Sequence, residues 1–291
     1  MLLLRNLRSL LLLLLVSSPL SGQDTPEPVP YDFPGPRGLN TLIAAGAESG
    51  LPQVQPNDNR TAAGQVVDGV REISLEVMRA DFRVEGPQGP GLRVAAIGES
   101  GSLPVVPAPL IRVEEGTRVR VSVHNRLDDV LQGFGLHDRP ADAPAPFEIG
   151  PGEARTVEFL AGAQGTYMYY MFEGGDLDPT DGRRDLGGER EQLAGAIVVD
   201  PVGGPTMTDR IMVINIFGEP WTDGEEEGFL EGLTINGLSW PYTELLELEV
   251  GRTERWKVVN ASNRGHPMHL HGFYFDVLSR GTIDRDTIYS E

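Results

Sequence analysis

Short runs of alternating hydrophobic and polar residues fill the chain from residue 71 onward. The clearest runs are ISLEVMRADFRV, LIRVEEGTRVRVSVHN, ARTVEFLAG, GTYMYYMF and LAGAIVVD, and turn-forming residues separate them. A period of two places successive side chains on opposite faces of a strand. Repeated at this spacing, the pattern predicts an all-β fold, built as a sandwich or a barrel.

The alternating pattern stops at PVGGP, residues 201–205, and then starts again. After this break come RIMVINIF, LTINGLS, LLELEVGRTERWKVVN and HLHGFYFDVL, which predict a second set of strands. A chain of 291 residues is long enough for two domains of ordinary size. We therefore predict a first β domain over residues 66–203 and a second over residues 204–291.

Two segments of different composition precede the first predicted domain. Residues 1–22 carry Arg5 and Arg8, then an apolar run, then small residues, which is typical of a secretory signal peptide. The apolar run is shorter than the roughly 20 residues that span a bilayer. Residues 23–65 are rich in proline, glycine, asparagine and glutamine and predict an extended linker. The sequence thus predicts a secreted or periplasmic protein without a membrane span.

An internal repeat relates the two predicted domains. Aligning Gly116 with Gly251 places VEEGTRVRVSVHN over LEVGRTERWKVVN, so that Asn125 corresponds to Asn260. The alignment predicts that each domain contains one copy of the same β unit.

The charge and the cysteine content exclude several classes of protein. The chain has 24 lysine and arginine residues against 43 aspartate and glutamate residues, a net charge of -19. This charge repels phosphate backbones and anionic membrane surfaces, so nucleic acid is not an expected partner. Because the chain has no cysteine, its stability must come from a buried core rather than from disulfides.

The stretch HPMHLHG holds three of the five histidines of the chain. On a strand, His269 and His271 would point the same way, which suits a pair of metal ligands. His266 has the opposite parity to His269, and Pro267 follows it, so we assign it to a different site. Imidazole binds copper, zinc, iron and nickel, so the residue type does not select the metal. The alternative is that these histidines only cap the edge of a strand.

At this motif the sequence resembles the multicopper oxidases, the family of the laccases and their two-domain relatives. The segments PAPLIRVEEGTRVRVSVHNRL, IGPGEARTVEFLAGAQGTYMYY and LAGAIVVDP are similar to the first cupredoxin domain of that family. The segment from LTINGLS to HPMHLHGFYFDV is similar to its copper-bearing last domain. The resemblance implies two cupredoxin-like Greek-key β-sandwich domains, the second incomplete, and copper as the cofactor.

The resemblance also implies roles for the three histidines. His266 would bind the mononuclear type 1 copper, and His269 and His271 would bind the adjacent trinuclear cluster. The implied activity is the one-electron oxidation of a small electron donor or metal ion, coupled to the reduction of dioxygen. Two-domain relatives assemble as trimers, which implies a homotrimer.

The first domain departs from the family pattern at its copper ligands. The family supplies two His-x-His pairs from this domain, and neither pair is present. The corresponding positions hold Gln132 and Phe134 in one pair and Tyr170 and Phe172 in the other. We predict that the aromatic rings occupy the space of the metals, so that a complete trinuclear cluster does not form. His124 and His137 are interpreted as structural or loop histidines.

The second domain lacks the remaining blue copper ligands. Blue copper requires a cysteine thiolate, a second histidine and usually a methionine, which the family places downstream of HPMHLHG. We therefore expect the chain to be truncated at Glu291. The sequence leaves three functions open: a multicopper oxidase, a non-catalytic copper-binding or electron-transfer protein, and a structural sandwich whose histidines are relics.

Overall fold

The computed structural model describes residues 50–86, 91–139, 146–174, 193–205, 207–223, 226–262, 265–281 and 286–288. These residues form strands and turns and contain no helix, so the predicted all-β fold class is confirmed. No helix that could cross a membrane is found in this part of the chain. The predicted signal peptide and residues 23–49 of the predicted linker lie outside the described residues.

The strands of the described residues fall before and after the segment at 201–208. Those before it are β1 Gln55–Pro56, β2 Gln65–Val67, β3 Val70–Phe82, β4 Leu92–Glu99, β5 Val105–Val106, β6 Ala108–Glu114, β7 Arg118–Asn125, β8 Leu131–Phe134, β9 Phe147–Ile149, β10 Ala154–Leu160, β11 Gly165–Glu173 and β12 Ala194–Asp200. Those after it are β13 Asp209–Asp223, β14 Glu226–Ile235, β15 Arg255–Asn260, β16 Ser279–Gly281 and β17 Asp286–Ile288.

Strands β1 to β12 form a β-sandwich of two sheets. One sheet has the order β1-β5-β4-β3-β7-β10, with β2 paired to β3, and the other has the order β6-β12-β11-β8-β9. Strand β7 shows how the sequence directs this packing. In RVRVSVHN the side chains of Val119, Val121 and Val123 are fully buried, and more exposed residues alternate with them. The valines join the core between the two sheets, as their period of two predicts.

The second sheet of the sandwich is buried on both faces. In β11, Tyr169 and Met171 belong to the sandwich core, whereas Tyr170 and Phe172 belong to a second apolar cluster on the outer face. Four residues that follow residue 208 in the sequence cover this outer face: Ile211, Val213, Val259 and Ala261. All seven residues of β12 are therefore buried. The predicted boundary at 203 and 204 lies between β12 and β13, but the two predicted domains share this buried layer.

Residues 50–65, the described end of the predicted extended linker, contact the sandwich. Val54 and Ala63 are buried against the sandwich. The N–H of Val54 donates to the carbonyl of Asp81, and the N–H of Ala63 donates to the carbonyl of Leu110. The segment is extended, but these backbone hydrogen bonds and buried side chains make it part of the folded unit.

The three-stranded sheet after residue 208 repeats a feature of the sandwich. Its order is β14-β13-β15, and β15 pairs in parallel with β13, as β7 pairs in parallel with β3. The aligned residues Asn125 and Asn260 end β7 and β15. Each side-chain Oδ1 accepts a hydrogen bond from the N–H two residues later, from Leu127 and from Ser262, both at 3.0 Å. The segments aligned in sequence thus have the same local structure.

Arg112 joins the two regions through buried ion pairs. Its guanidinium donates to both carboxylate oxygens of Asp200, at 2.6 and 3.0 Å, and to both of Asp209, at 2.9 and 3.1 Å. The side chain of Asp209 is 2% exposed, and Nζ of Lys257 lies 3.5 Å from it. The pKa of Arg112 is raised, and the hydrogen bonds to Asp200 are the largest cause. These pairs fix β6 to the end of β12 and the start of β13.

Strand β10 lies at the outer edge of the first sheet. Its Glu158 accepts a hydrogen bond from Arg120 of β7 at 3.1 Å, and this guanidinium lowers the pKa of Glu158. At the end of the strand, the N–H of Leu160 donates to Oδ1 of Asp138 at 2.7 Å. The carbonyl of Leu160 accepts from the N–H of Arg139 at 3.4 Å. The outward-facing backbone groups of Leu160 are therefore already bonded within the chain.

Candidate metal site

The three histidines of HPMHLHG lie in an irregular segment. Residues 265–270 and 273–278 have no regular secondary structure, and a turn occupies residues 271 and 272. The predicted strand HLHGFYFDVL is therefore wrong. A strand needs a neighbour that satisfies its backbone groups, and no described strand pairs with residues 265–278.

His269 and His271 nevertheless face each other. Their ring centroids are 4.9 Å apart, with the ring planes at 82°, and both side chains are exposed. The local turn brings them together, rather than the alternation of a strand. Two imidazoles at this distance can present nitrogen donors to one metal ion, and imidazole is a good ligand for copper, zinc and iron. The predicted pair is thus assembled, and its binding of a metal stays a prediction.

His266 has a different environment from this pair. It is half-buried, and its Nε2 lies 2.7 Å from the hydroxyl oxygen of Ser262. Ser262 follows the last residue of β15 by two positions, so the sheet positions the hydroxyl that contacts the imidazole. The contacts of His266 differ from those of His269 and His271, and its assignment to a different metal site stays a prediction.

The four first-domain positions that depart from the family pattern are neighbours in the structure. Strands β8 and β11 pair so that Gln132 lies opposite Phe172 and Phe134 lies opposite Tyr170. The rings of Phe134 and Tyr170 stack with centroids 4.9 Å apart and planes at 5°. Phe172 packs edge-on against both rings, at 5.6 and 5.2 Å. All four side chains are buried, so this patch is filled by packed rings and offers no imidazole.

The remaining two histidines lie in the sandwich. His124 is on β7, opposite Ala154 of β10. Nδ1 of His137 is 2.9 Å from the carbonyl oxygen of Asp138, and partial burial lowers the pKa of His137. Among the described residues, no three histidine, aspartate or glutamate side chains are grouped closely enough to hold a metal. The candidate site is therefore the facing pair His269 and His271.

A family comparison matches the C-terminal region, which holds three of the five histidines of the chain. Residues 212–289 match the family model for multicopper oxidases. This match supports a multicopper oxidase family assignment for these residues. The match includes the whole HPMHLHG motif, so the family resemblance read from that motif is confirmed. Copper is the cofactor of this family.

Individual relatives of this chain are distant. A probable nitrite reductase-hydroxylamine oxidoreductase fusion protein of Kuenenia stuttgartiensis is 29% identical over 191 residues, which cover 59% of the chain and 21% of that relative. The chain thus spans about a fifth of the length of this curated relative.

Two solved structures align with this chain at low sequence identity. A crystal structure of a multicopper oxidase aligns with a TM-score of 0.51 and 21% identity, over 74% of this chain and 73% of that chain. The blue copper oxidase of Nitrosomonas europaea aligns with a TM-score of 0.46 and 21% identity, over 67% of this chain and 62% of that chain. The first alignment shows a shared fold.

Sequence reasoning missed Ser262 as a member of the site. Asn260 and Ser262 fit a glycosylation pattern, which says nothing about a contact with His266. The available signal was a polar side chain just after a strand and four residues before a candidate ligand.

Proposed function

We propose that this chain binds copper through His269 and His271 and acts as an electron-transfer protein of the multicopper oxidase family. The facing pair of exposed imidazoles, with 4.9 Å between ring centroids, carries the proposal because it lies inside the residues matched by the family model. Copper, when bound, supplies a one-electron redox couple. The exposure of both rings lets a small electron donor or metal ion approach the pair.

The buried aromatic patch supports electron transfer rather than dioxygen reduction by this chain. A trinuclear cluster would need imidazoles at the positions of Phe134, Tyr170 and Phe172. These rings instead pack against each other and against Val213 and Val259. Opening this packing for a metal would remove buried apolar contacts that stabilise the junction of the two regions.

The second candidate function is a dioxygen-reducing oxidase, which the family match favours. In this function electrons from a small donor would reduce dioxygen at a complete copper site, which a homotrimer of this chain would not supply because every copy carries the same buried aromatic patch. The basic residues and apolar run within residues 1–22 support export of either form to the periplasm or the exterior.

Copper affinity tests the role of the facing pair. The double variant His269→Ala with His271→Ala removes both ligands. Its affinity for copper should therefore fall by more than the roughly 10–100-fold that follows loss of a residue that only contacts a metal ligand. The measurement is a competition titration of the full chain with Cu(II) and a chelator of known affinity. His124→Ala is the matched control, since it removes one imidazole from β7, and its affinity should stay within about twofold of the parent. Parent affinity in the double variant would place the copper elsewhere.

Oxygen consumption separates the two candidate functions. With a phenolic donor and bound copper, we expect the full chain to consume oxygen no faster than the double variant with the same added copper. A parallel assay of nitrite consumption with the same donor covers the nitrite reductase activity named for the Kuenenia relative. Turnover of either acceptor that depends on His269 and His271 would favour an enzyme over an electron-transfer protein.

A further inference from the structure

A buried serine hydroxyl lies between His266 and the end of β15. Ser262 is 6% exposed. Its Oγ is 2.8 Å from Oδ1 of Asn260 and 2.7 Å from Nε2 of His266. A buried hydroxyl needs hydrogen-bond partners, and these two atoms supply them.

The hydrogen bonds determine which atoms carry protons. The amide oxygen of Asn260 can only accept, so the single hydroxyl proton of Ser262 is donated to it. The hydroxyl oxygen then accepts from His266, which places the proton of the neutral imidazole on Nε2. Nδ1 of His266 is left with its lone pair and is the nitrogen that can bind a metal.

The internal repeat shows that this hydroxyl is not needed for the local turn. After β7, Asn125 forms the same turn with the N–H of Leu127, whose side chain has no hydroxyl. After β15, the backbone N–H of Ser262 makes the equivalent bond to Asn260 at 3.0 Å. The hydroxyl of Ser262 therefore adds a contact that the first copy lacks, and that contact is made to His266.

We propose that Ser262 is a positioning residue that selects Nδ1 of His266 as the metal-binding nitrogen. A metal-binding histidine commonly donates its second ring N–H to a fixed acceptor, which sets both tautomer and ring orientation. Ser262 is that acceptor, and Asn260 holds it in place. The metal part of this inference rests on the proposed copper function and extends it to His266 as a ligand separate from the pair His269 and His271, whereas the tautomer of His266 does not rest on it.

The tautomer is measured in the metal-free full chain by long-range ¹H–¹⁵N NMR at about pH 8, where an ordinary imidazole is neutral. The parent should have Nε2–H as the major form. Ser262→Ala should lower the ratio of Nε2–H to Nδ1–H by about fivefold, the equivalent of one neutral hydrogen bond. Ser262→Thr keeps the hydroxyl and should keep the parent ratio. Ser102→Ala, in an exposed turn of the sandwich, is the control and should change nothing.

Cu(I), which is diamagnetic, then tests the metal-binding nitrogen in the same spectra. It should shift the Nδ1 resonance of His266 in the parent, and Ser262→Ala should weaken this binding by about 10–100-fold. Three results would each overturn the inference: a major Nδ1–H form in the parent, an unchanged ratio in Ser262→Ala, or binding of Cu(I) by the parent without a shift at Nδ1 of His266. A parent that binds no Cu(I) would instead refute the proposed copper function, and the metal-free ratio keeps these two failures apart.

Discussion

Replacing Arg112 with methionine should lower the free energy of unfolding by about 3–5 kcal/mol, because it leaves buried carboxylates without their cation. Arg112 is the shared partner of Asp200 and Asp209, whose side chains are 8% and 2% exposed. Lys257 approaches Asp209 at 3.5 Å and cannot replace a guanidinium that bonds all four carboxylate oxygens. Urea unfolding of the full chain measures the change.

Arg118→Met is the matched control for this substitution. The side chain of Arg118 is 56% exposed, and its ion pair with Glu158 lies on the outer face of the sandwich. Removing an exposed pair of this kind costs about 1 kcal/mol or less. A change below about 1 kcal/mol in Arg112→Met would show that the buried ion pairs do not hold the junction together.

Replacing Phe134 with alanine should lower the free energy of unfolding by about 3–5 kcal/mol, because it opens a cavity in the outer apolar cluster. Phe134 is 3% exposed and contacts both Tyr170 and Phe172. The cluster cannot collapse freely around the cavity, since β13 and β15 cover it from the other side. Chemical denaturation of the variant beside the parent gives the size of the loss.

Phe273→Ala is the control of the same residue type. Phe273 is 66% exposed and lies in the irregular histidine segment, so its loss should change stability by about 0.5 kcal/mol or less. Equal effects of the two substitutions would mean that the aromatic patch does not stabilise the protein.

The hydrophobic pattern predicts the sandwich well because each of its strands has neighbours in the same sheet. In β7 and β11 the period of two places Val121 and Tyr169 in the core. The same pattern fails at residues 269–278, where Tyr274 is exposed and no described strand offers a partner. Periodicity predicts which side chains could share a face, but strand formation depends on a pairing partner elsewhere in the chain.

The candidate site shows the same division between local and distant information. The spacing of His269 and His271 is local, and the structure brings their rings together, although through a turn. The aromatic positions Phe134 and Tyr170 are 36 residues apart in the sequence, and only strand pairing places them in contact. The ion pair between Arg112 and Asp209 joins residues 97 positions apart, and no short sequence motif marks it.

The bonded end of β10 affects how this protein behaves at high concentration. An exposed edge strand offers free N–H and carbonyl groups on which a strand from another molecule can add. At Leu160 both groups are occupied by Asp138 and Arg139, and along the strand Arg155 and Glu158 present charges. This edge of the sheet is therefore protected against strand addition between molecules, the first step toward fibrillar aggregation.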